Sequence, residues 1–353
     1  MGKRYAKFNL VIWLLAMASL AVAGWLIRGM FFQKGPANNA VTKLSDSKPN
    51  PSQPNNEFFA INGLPTTKSI AETRPFAVVV ENHPDSRPQS GLIDADMVYE
   101  TLAEGGITRF MAVYQSKETK NVGPVRSART YFADLANELH AVFVHVGGNS
   151  DALENIKNEQ YKNISDADQF FNDPYFVRAN FRPMPHNVYT STALLLKLVN
   201  RHEYNQLATF GAWKFKDDEK ATATAASITV PFSQKSYEVM WKYNPATNSY
   251  SRFMAGSAHT DLDTKKQIQA KVIIVQSVET FPVTSDTIGA IGLTLLGQGT
   301  GYVFQDGKVE AVTWKKTGDG RTRYYFQNGN EAAFNRGQIW VELLPKELRV
   351  TWK

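Results

Sequence analysis

The fold is decided by residues 74–114, which read RPFAVVVENHPDSRPQSGLIDADMVYETLAEGGITRFMAVY. Within them, the apolar run Phe76–Val80 has the length and composition of a strand buried on both faces, and the polar run ENHP ends it. Met97–Glu100 and Arg109–Tyr114 are two more strand-like runs, and the Glu104-Gly105-Gly106 turn between them predicts a hairpin. The stretch therefore predicts several strands of one sheet.

Helical patterns alternate with strands after this stretch. Residues 128–139 place apolar side chains at helical spacing, and Ala141–Val146 is another strand of the buried type. Further helices are predicted at 150–157 and at Thr190–Arg201, because polar residues that cap helix N-termini stand at their starts. Helices mixed with strands and a hairpin indicate an α/β sandwich with a mixed sheet, which we assign to residues 61–215.

Residues 216–353 carry almost purely β signals. The strongest is a hairpin in which Asp306-Gly307 joins Tyr302–Gln305 to Val309–Lys315, because Asp-Gly tolerates the positive φ of a type I′ turn. The run Ile339–Leu343 is expected to close this half. About seven or eight short strands with few helices predict a small barrel or sandwich. The predicted fold class of the whole chain is therefore α+β.

The N-terminus carries a signal for export. Phe8–Ile27 is an apolar run of 20 residues without a charge, and at 1.5 Å per residue it can cross a hydrocarbon core of about 30 Å. Lys3, Arg4 and Lys7 precede this run, so the positive-inside tendency places the N-terminus in the cytoplasm and the body outside. Residues 1–28 are thus predicted to be a cytoplasmic tip and a single-pass anchor in the cell membrane.

The same segment has an alternative interpretation as a cleaved signal peptide. Ala21-Val22-Ala23 fits an A-x-A cleavage pattern, and cleavage after Ala23 would release a secreted body. The apolar run is longer than a signal peptide needs, and this favours the uncleaved anchor. Residues 29–60 are poor in large aliphatic side chains and rich in polar residues and proline, so they are predicted to be a disordered tether.

The charge balance excludes one class of partner. The chain has 353 residues and a formal net charge of +6, from 39 Lys and Arg against 33 Asp and Glu. The whole surplus lies in residues 1–74, which carry nine cations and three anions, so residues 75–353 are neutral. A neutral body lacks the broad cationic face that binding to a phosphate backbone requires. No nucleic-acid partner is expected.

Several long motifs give a resemblance to a known family. Besides residues 74–114, they are GPVRSAR at 123–129, VHVGGNSDAL at 144–153, and the later runs GQGTGYVF, DGKVEAVTWKK and GQIWVELLP. Over about residues 70–346 the chain resembles the YerB-like family of bacterial envelope proteins. The resemblance implies a two-domain, membrane-tethered, extracytoplasmic protein of Gram-positive-type bacteria, with domains of unknown function. Many members look like lipoproteins with a lipidated Cys. This chain has no Cys, so the helix Phe8–Ile27 remains as the expected attachment to the membrane.

A group of arginines gives the first candidate site. Arg126 and Arg129 stand where a helix is expected to begin, and Arg109 begins a neighbouring strand. Guanidinium groups beside the free N–H groups of a helix start suit a phosphate or a carboxylate. The alternative is an internal network of salt bridges, for which three carboxylates are available. These are Glu81, Glu100 and Glu104.

Glu81, His83 and His186 form the second candidate set. Glu81 and His83 follow a predicted strand, and the proline-rich loop that carries His186 is expected to approach them. Ligands commonly bind at the C-terminal ends of strands in α/β folds, and a Glu/His set suits acid–base chemistry or a metal. Since the HExxH type of spacing is absent, no metal and no cofactor are predicted. His145, within an apolar strand, is interpreted as a core residue.

These features predict a protein that binds rather than catalyses. We expect an extracytoplasmic, membrane-anchored protein that binds a wall-synthesis protein or an anionic wall polymer. The alternative is a hydrolase or transferase that acts on an anionic envelope substrate. Arginines that converge with the histidines around open space would favour the enzyme, whereas arginines already paired with glutamates would favour the binding protein.

Overall fold

The computed structural model describes residues 57–219, 222–283 and 289–353. The predicted membrane segment Phe8–Ile27 lies outside these residues. Within them, no helix is both long and apolar enough to cross a membrane. All of the described residues belong to one compact unit, Pro49–Lys353. The pairing of Glu57–Phe58 with Pro65–Thr66 shows that regular structure already begins before residue 61.

The helices in the described ranges are few and short. The α-helices are α1 (Lys68–Ala71), α2 (Thr130–Glu138), α3 (Ser150–Lys157), α4 (Gln169–Asn172) and α5 (Thr192–Arg201). Single 3₁₀ turns occur at Pro84–Ser86, Asp173–Tyr175 and Lys235–Tyr237. The side chain of Ser191 caps α5 by accepting a hydrogen bond of 3.1 Å from the N–H of Leu194. This is the role that a Ser just before a helix predicts.

A large mixed sheet forms the centre of the described structure. In spatial order its strands are β20 (Arg323–Phe326), β19 (Lys308–Lys316), β18 (Gly297–Gln305), β16 (Val272–Pro282), β22 (Ile339–Pro345), β4 (Met97–Leu102), β5 (Thr108–Tyr114), β3 (Phe76–Glu81), β6 (Val142–His145) and β7 (Ser165–Asp168). An eleventh strand, β17 (Ile291–Thr294), pairs with the end of β16. Parallel pairs join β16 to β22, β22 to β4, β3 to β6 and β6 to β7.

A smaller antiparallel sheet packs against the central one. Its strands are, in spatial order, β14 (Ser257–Ala258), β13 (Ser249–Met254), β12 (Glu238–Asn244), β11 (Ser227–Pro231) and β23 (Thr351–Trp352), with β15 (Gln269–Ala270) beside β13. Three two-stranded pairs complete the described strands. They are β1 (Glu57–Phe58) with β2 (Pro65–Thr66), β8 (Val177–Arg178) with β9 (Val188–Tyr189), and β10 (Lys214–Lys216) with β21 (Ala333–Asn335).

The α+β class predicted from the sequence is confirmed, with one correction to the C-terminal half. Its strands do not form a separate barrel or sandwich. Strand β22, which was expected to close that half, lies between β16 and β4 and pairs in parallel with both. Five further strands of this half extend the same central sheet. The sequence pattern could not predict this arrangement, because the hydrophobic run of a strand specifies burial but not its neighbour.

Strand β3 shows how the central sheet is buried. Val78 and Val80 face a core that includes α5 and the smaller sheet, while Ala77 and Val79 face a second core that includes α2. All four side chains are fully buried. Burial on both faces is the reason that the strand is a continuous apolar run rather than an alternating one.

A polar network is buried where the two halves meet. Arg252 on β13 donates hydrogen bonds to Glu100 on β4 and to Nδ1 of His259, the latter at 2.8 Å. Its guanidinium carbon lies 4.4 Å from the centre of the Trp340 ring. Burial, and after it the charge of Arg252, lower the pKa of His259 well below its usual value, so this ring is neutral. Since Nδ1 accepts a hydrogen bond, Nε2 carries the proton and donates to Gln89 at 2.8 Å.

Glu342 adds a second carboxyl group to this network. It lies on β22, is fully buried, and accepts a hydrogen bond of 2.9 Å from the indole N–H of Trp241. Burial raises the pKa of Glu342 well above its ordinary value, and the charge of Glu100 raises it further. Both effects favour the neutral form of Glu342 beside the ion pair of Arg252 with Glu100.

Candidate functional site

The end of strand β3 organises the candidate site. Glu81 is its last residue, and the backbone N–H of Glu81 donates to the carbonyl of Pro124 at 2.9 Å. The N–H of Arg126 donates to the carbonyl of Val79 at 2.9 Å. The chain that leads into α2 therefore runs beside β3, and this places the side chain of Arg126 next to that of Glu81.

Glu81 joins two of the predicted site residues. Its side chain is buried, and one carboxylate oxygen accepts a hydrogen bond of 2.9 Å from Nδ1 of His186. The other carboxylate oxygen lies 3.1 Å from Nε of Arg126. Nδ1 of His186 is thus the donor in this hydrogen bond, which leaves Nε2 as the ring nitrogen that is not bonded to Glu81.

Two loops are held together at this point. Arg182, from the loop between β8 and β9, donates hydrogen bonds to the carbonyls of Ser86 and Pro88. The same loop carries His186, whose ring stacks on that of His83 with 5.0 Å between centroids and 18° between planes. The structure thus brings Glu81, His83 and His186 together, and Arg182 is the clamp that sequence reasoning missed.

Arg126 is the member of the arginine group that remains accessible. A quarter of its side chain, 25%, is exposed. Within the described part of the chain, its two terminal nitrogens make no hydrogen bond or ion pair, and only Nε faces Glu81. Burial lowers the pKa of Arg126 and the charge of Glu81 opposes this effect. Arg126 therefore has two terminal N–H₂ groups without a partner among the residues that the structure describes.

Arg109 and Arg129 do not line an open cleft, contrary to the expectation that they would bind a ligand with Arg126. Both side chains are buried, and both pair with the carboxylate of Glu104, at 2.5 and 2.6 Å. Burial alone would raise the pKa of Glu104, but the two guanidinium groups outweigh it and lower the pKa to about 2. These two arginines form the internal salt-bridge network that was the alternative prediction.

Two other polar residues are satisfied within the structure. Glu100, considered as a partner for the arginines near Glu81, pairs instead with Arg252. His145 is fully buried and contacts the carbonyl of Gly147 and the carboxylate of Asp166, each at 2.8 Å. The interpretation of His145 as a core residue agrees with this placement, and neither residue belongs to the site.

Asp85 is a site residue that the sequence analysis missed. It lies two residues after His83, and its carboxylate is 3.5 Å from Nδ1 of that histidine. A His-x-Asp spacing in a loop was the available signal, but the loop end of a strand often carries such residues without a function. His83 and Asp85 become notable because His186, from a hairpin about 100 residues later, lies beside them. No local sequence pattern shows that the two segments are close.

Two surface pockets of the described structure lie away from these residues. One, of about 280 Å³, is lined by Asp134, Lys316 and a wall of leucines on β17 and just after it. The other, of about 350 Å³, is lined by Glu310 and Phe326. Neither of these two pockets includes a residue of the predicted site.

The ion pairs of Glu104 lead to a prediction about stability. Because the pKa of Glu104 in the folded protein, about 2, lies below its ordinary 4.5, the ionised group stabilises the fold above pH 4.5. This contribution is lost as the pH falls towards 2. The shift corresponds to about 3 kcal/mol, so Glu104→Gln should lower the free energy of unfolding at pH 7 by that amount. Denaturant titration at pH 7 and at pH 3 measures it.

The matched control is Glu154→Gln, since Glu154 is an exposed glutamate on α3. We expect it to change the free energy of unfolding by less than about 0.5 kcal/mol. A Glu104→Gln variant as stable as this control at pH 7 would show that the two buried arginines do not depend on Glu104.

Comparisons with known proteins agree with this architecture. The family described as "Protein of unknown function (DUF3048) N-terminal domain" matches residues 61–205, and its C-terminal counterpart matches residues 228–341. "Putative lipoprotein YerB" of Bacillus subtilis (strain 168) is 34% identical over 288 residues, which are 81% of this chain and 85% of that protein. The crystal structure of YerB protein from Bacillus subtilis matches with a TM-score of 0.75 and 32% identity. The match covers 84% of this chain and 99% of that one.

The fold and the two family matches define an α+β protein of a class whose function is unknown, with an N-terminal and a C-terminal family region. The relationship is close enough to be specific, because the similarity runs through both halves of the sequence. The chain belongs to the YerB family.

Proposed function

We propose that the protein is extracytoplasmic, anchored in the cell membrane of a Gram-positive bacterium, and binds an anionic wall polymer at the surface around Arg126. Two observations support the location. The run Phe8–Ile27 is long enough to span a membrane, and a relative from Bacillus subtilis is named as a lipoprotein. This chain has no Cys to carry a lipid, so the apolar run would provide the attachment instead.

The observation that carries the binding proposal is the state of Arg126. A buried carboxylate, Glu81, faces its Nε, and in the described part of the chain neither terminal nitrogen has a hydrogen-bond or ion-pair partner. A guanidinium held in this way presents a preorganised fork of N–H donors, and phosphate and carboxylate groups match that geometry. His186 donates to the same carboxylate, and the ring of His83 stacks on that of His186.

The same geometry supports a binding protein over an enzyme. An enzyme for an anionic substrate would gain from several arginines that converge with the histidines on one space. Here two of the three arginines are already paired with the carboxylate of Glu104. One accessible guanidinium suits the recognition of a repeating polymer better than the enclosure of a reacting group.

Arg126→Ala tests this proposal. The full chain in detergent is mixed with purified Gram-positive cell walls, and the bound fraction is measured by sedimentation. We expect the substitution to weaken binding by about 10- to 100-fold, since it removes a charge-assisted hydrogen bond worth about 1.5–3 kcal/mol. Walls from which the anionic polymers have been removed should bind the unchanged protein as weakly as intact walls bind Arg126→Ala.

Arg201→Ala is the matched control, because Arg201 is an exposed arginine at the end of α5. It should bind walls as the unchanged protein does. The proposal would be contradicted if Arg126→Ala bound intact walls as tightly as the unchanged protein does. It would also be contradicted if the unchanged protein bound stripped walls as tightly as intact ones. Recovery only with membranes that contain wall-synthesis proteins would point to a protein partner in place of the polymer.

A further inference from the structure

Three side chains beside the anion site carry metal-ligating atoms. His83, Asp85 and His186 each place one such atom within 4.8 Å of the other two. We propose that these residues bind a divalent transition-metal ion such as Zn²⁺. No metal was predicted from the sequence because the HExxH type of spacing is absent, and the three ligands come instead from two separate loops.

Glu81 supplies the outer support that such a site needs. Histidines that bind a metal through one ring nitrogen usually donate the other N–H to a carboxylate, which fixes the tautomer and the ring orientation. His186 donates its Nδ1–H to the buried carboxylate of Glu81 at 2.9 Å. Its Nε2 is therefore the atom that is free to bind an ion.

The distances require only side-chain movement. Zinc bonds of about 2.0–2.1 Å place tetrahedral ligands about 3.3 Å apart, so the three atoms must close by about 1.5 Å at most. Asp85 is 70% exposed and His83 is 36% exposed, so both side chains can rotate. The bonds from Arg182 to Ser86 and Pro88 already hold the two loops together.

The donor set indicates the class of ion. Two imidazole nitrogens and one carboxylate oxygen suit Zn²⁺ and its transition-metal neighbours, whereas Ca²⁺ and Mg²⁺ prefer oxygen ligands alone. The positive charge of Arg126 lies nearby, but it is paired with Glu81. Three protein ligands would leave a fourth position open to water or to another ligand.

Calorimetric titration with ZnCl₂ tests this inference. The untagged full chain in detergent is treated with a chelator, dialysed into a non-chelating buffer at pH 7 and titrated. We expect one saturable site per chain, and an affinity at least tenfold lower in each of Asp85→Asn and His186→Gln. Glu81→Gln keeps all three ligands and is expected to lower the affinity by 10- to 100-fold. A purely structural role for Glu81 would not produce that change.

His202→Gln controls for adventitious binding, because His202 is an exposed histidine elsewhere on the surface. It should leave the titration unchanged. Asp85→Asn alters an exposed side chain, so it gives a result even where a histidine variant fails to fold. Absence of zinc binding, or the same affinity in Asp85→Asn as in the unchanged protein, would overturn the inference. No wall ligand is present, so this result is independent of the wall-binding test.

Discussion

Replacement of Arg252 by Met is expected to lower the free energy of unfolding by about 3–5 kcal/mol. The guanidinium is completely buried and pairs with the equally buried carboxylate of Glu100. Met fills a similar volume and keeps contact with the rings of Trp340 and Trp241, so the loss comes from the uncompensated charge of Glu100 and not from a cavity. The change in the midpoint of guanidinium chloride unfolding measures it.

A double-mutant cycle separates the charge from the packing. Arg252→Met combined with Glu100→Gln leaves no buried charge in this pair, and we expect it to recover a substantial part of the lost stability. Arg336→Ala is the surface control. Its partner Asp217 is 98% exposed, so that substitution should cost less than about 1 kcal/mol. If Arg252→Met lowered the free energy of unfolding by no more than Arg336→Ala does, the buried pair would be dispensable for stability.

Glu342→Gln is expected to change the pH dependence of stability. The folded protein raises the pKa of Glu342, first through burial and then through Glu100, whereas in the unfolded chain it ionises near pH 4.5. Above that pH the unfolded state has released a proton that the folded state keeps. Stability therefore falls as the pH rises, by up to about 1.4 kcal/mol per pH unit from this group.

The amide of Gln matches a protonated carboxyl group in shape and can still accept a hydrogen bond from Trp241. The variant should therefore unfold like the unchanged protein at pH 4.5, and become the more stable of the two as the pH approaches 8. Chemical unfolding at half-unit intervals of pH measures both slopes. Parallel slopes for the two proteins would mean that Glu342 is ionised in the fold.

Local features of the fold could be predicted from the sequence because local forces determine them. The apolar run at Phe76–Val80 became β3, which extends by one residue to Glu81. The Asp306-Gly307 turn has positive φ values of 53° and 71°, as a type I′ turn requires. The sheet order could not be predicted in the same way, since pairing of β22 with β4 depends on contacts between distant residues.

The candidate site was predicted in its composition but not in its connections. Glu81, His83 and His186 lie together as their positions at a strand end and in a loop suggested. The sequence did not distinguish the three arginines, although two of them are buried and paired with Glu104 while Arg126 stays partly exposed. Burial decides that difference, and burial is a property of the assembled sheet.

The position of β22 also has a consequence for the order in which the protein can fold. Thr101 on β4 contacts Leu343 on β22 across 242 residues of chain. A nascent polypeptide therefore presents β4 with an unpaired edge until almost the whole sequence has been made. Open strand edges recruit other chains, and closing so long a loop is slow. The edge of β4 therefore stays unpaired, or is covered by another molecule, until β22 has been synthesised. The central sheet is completed by strands made late in synthesis.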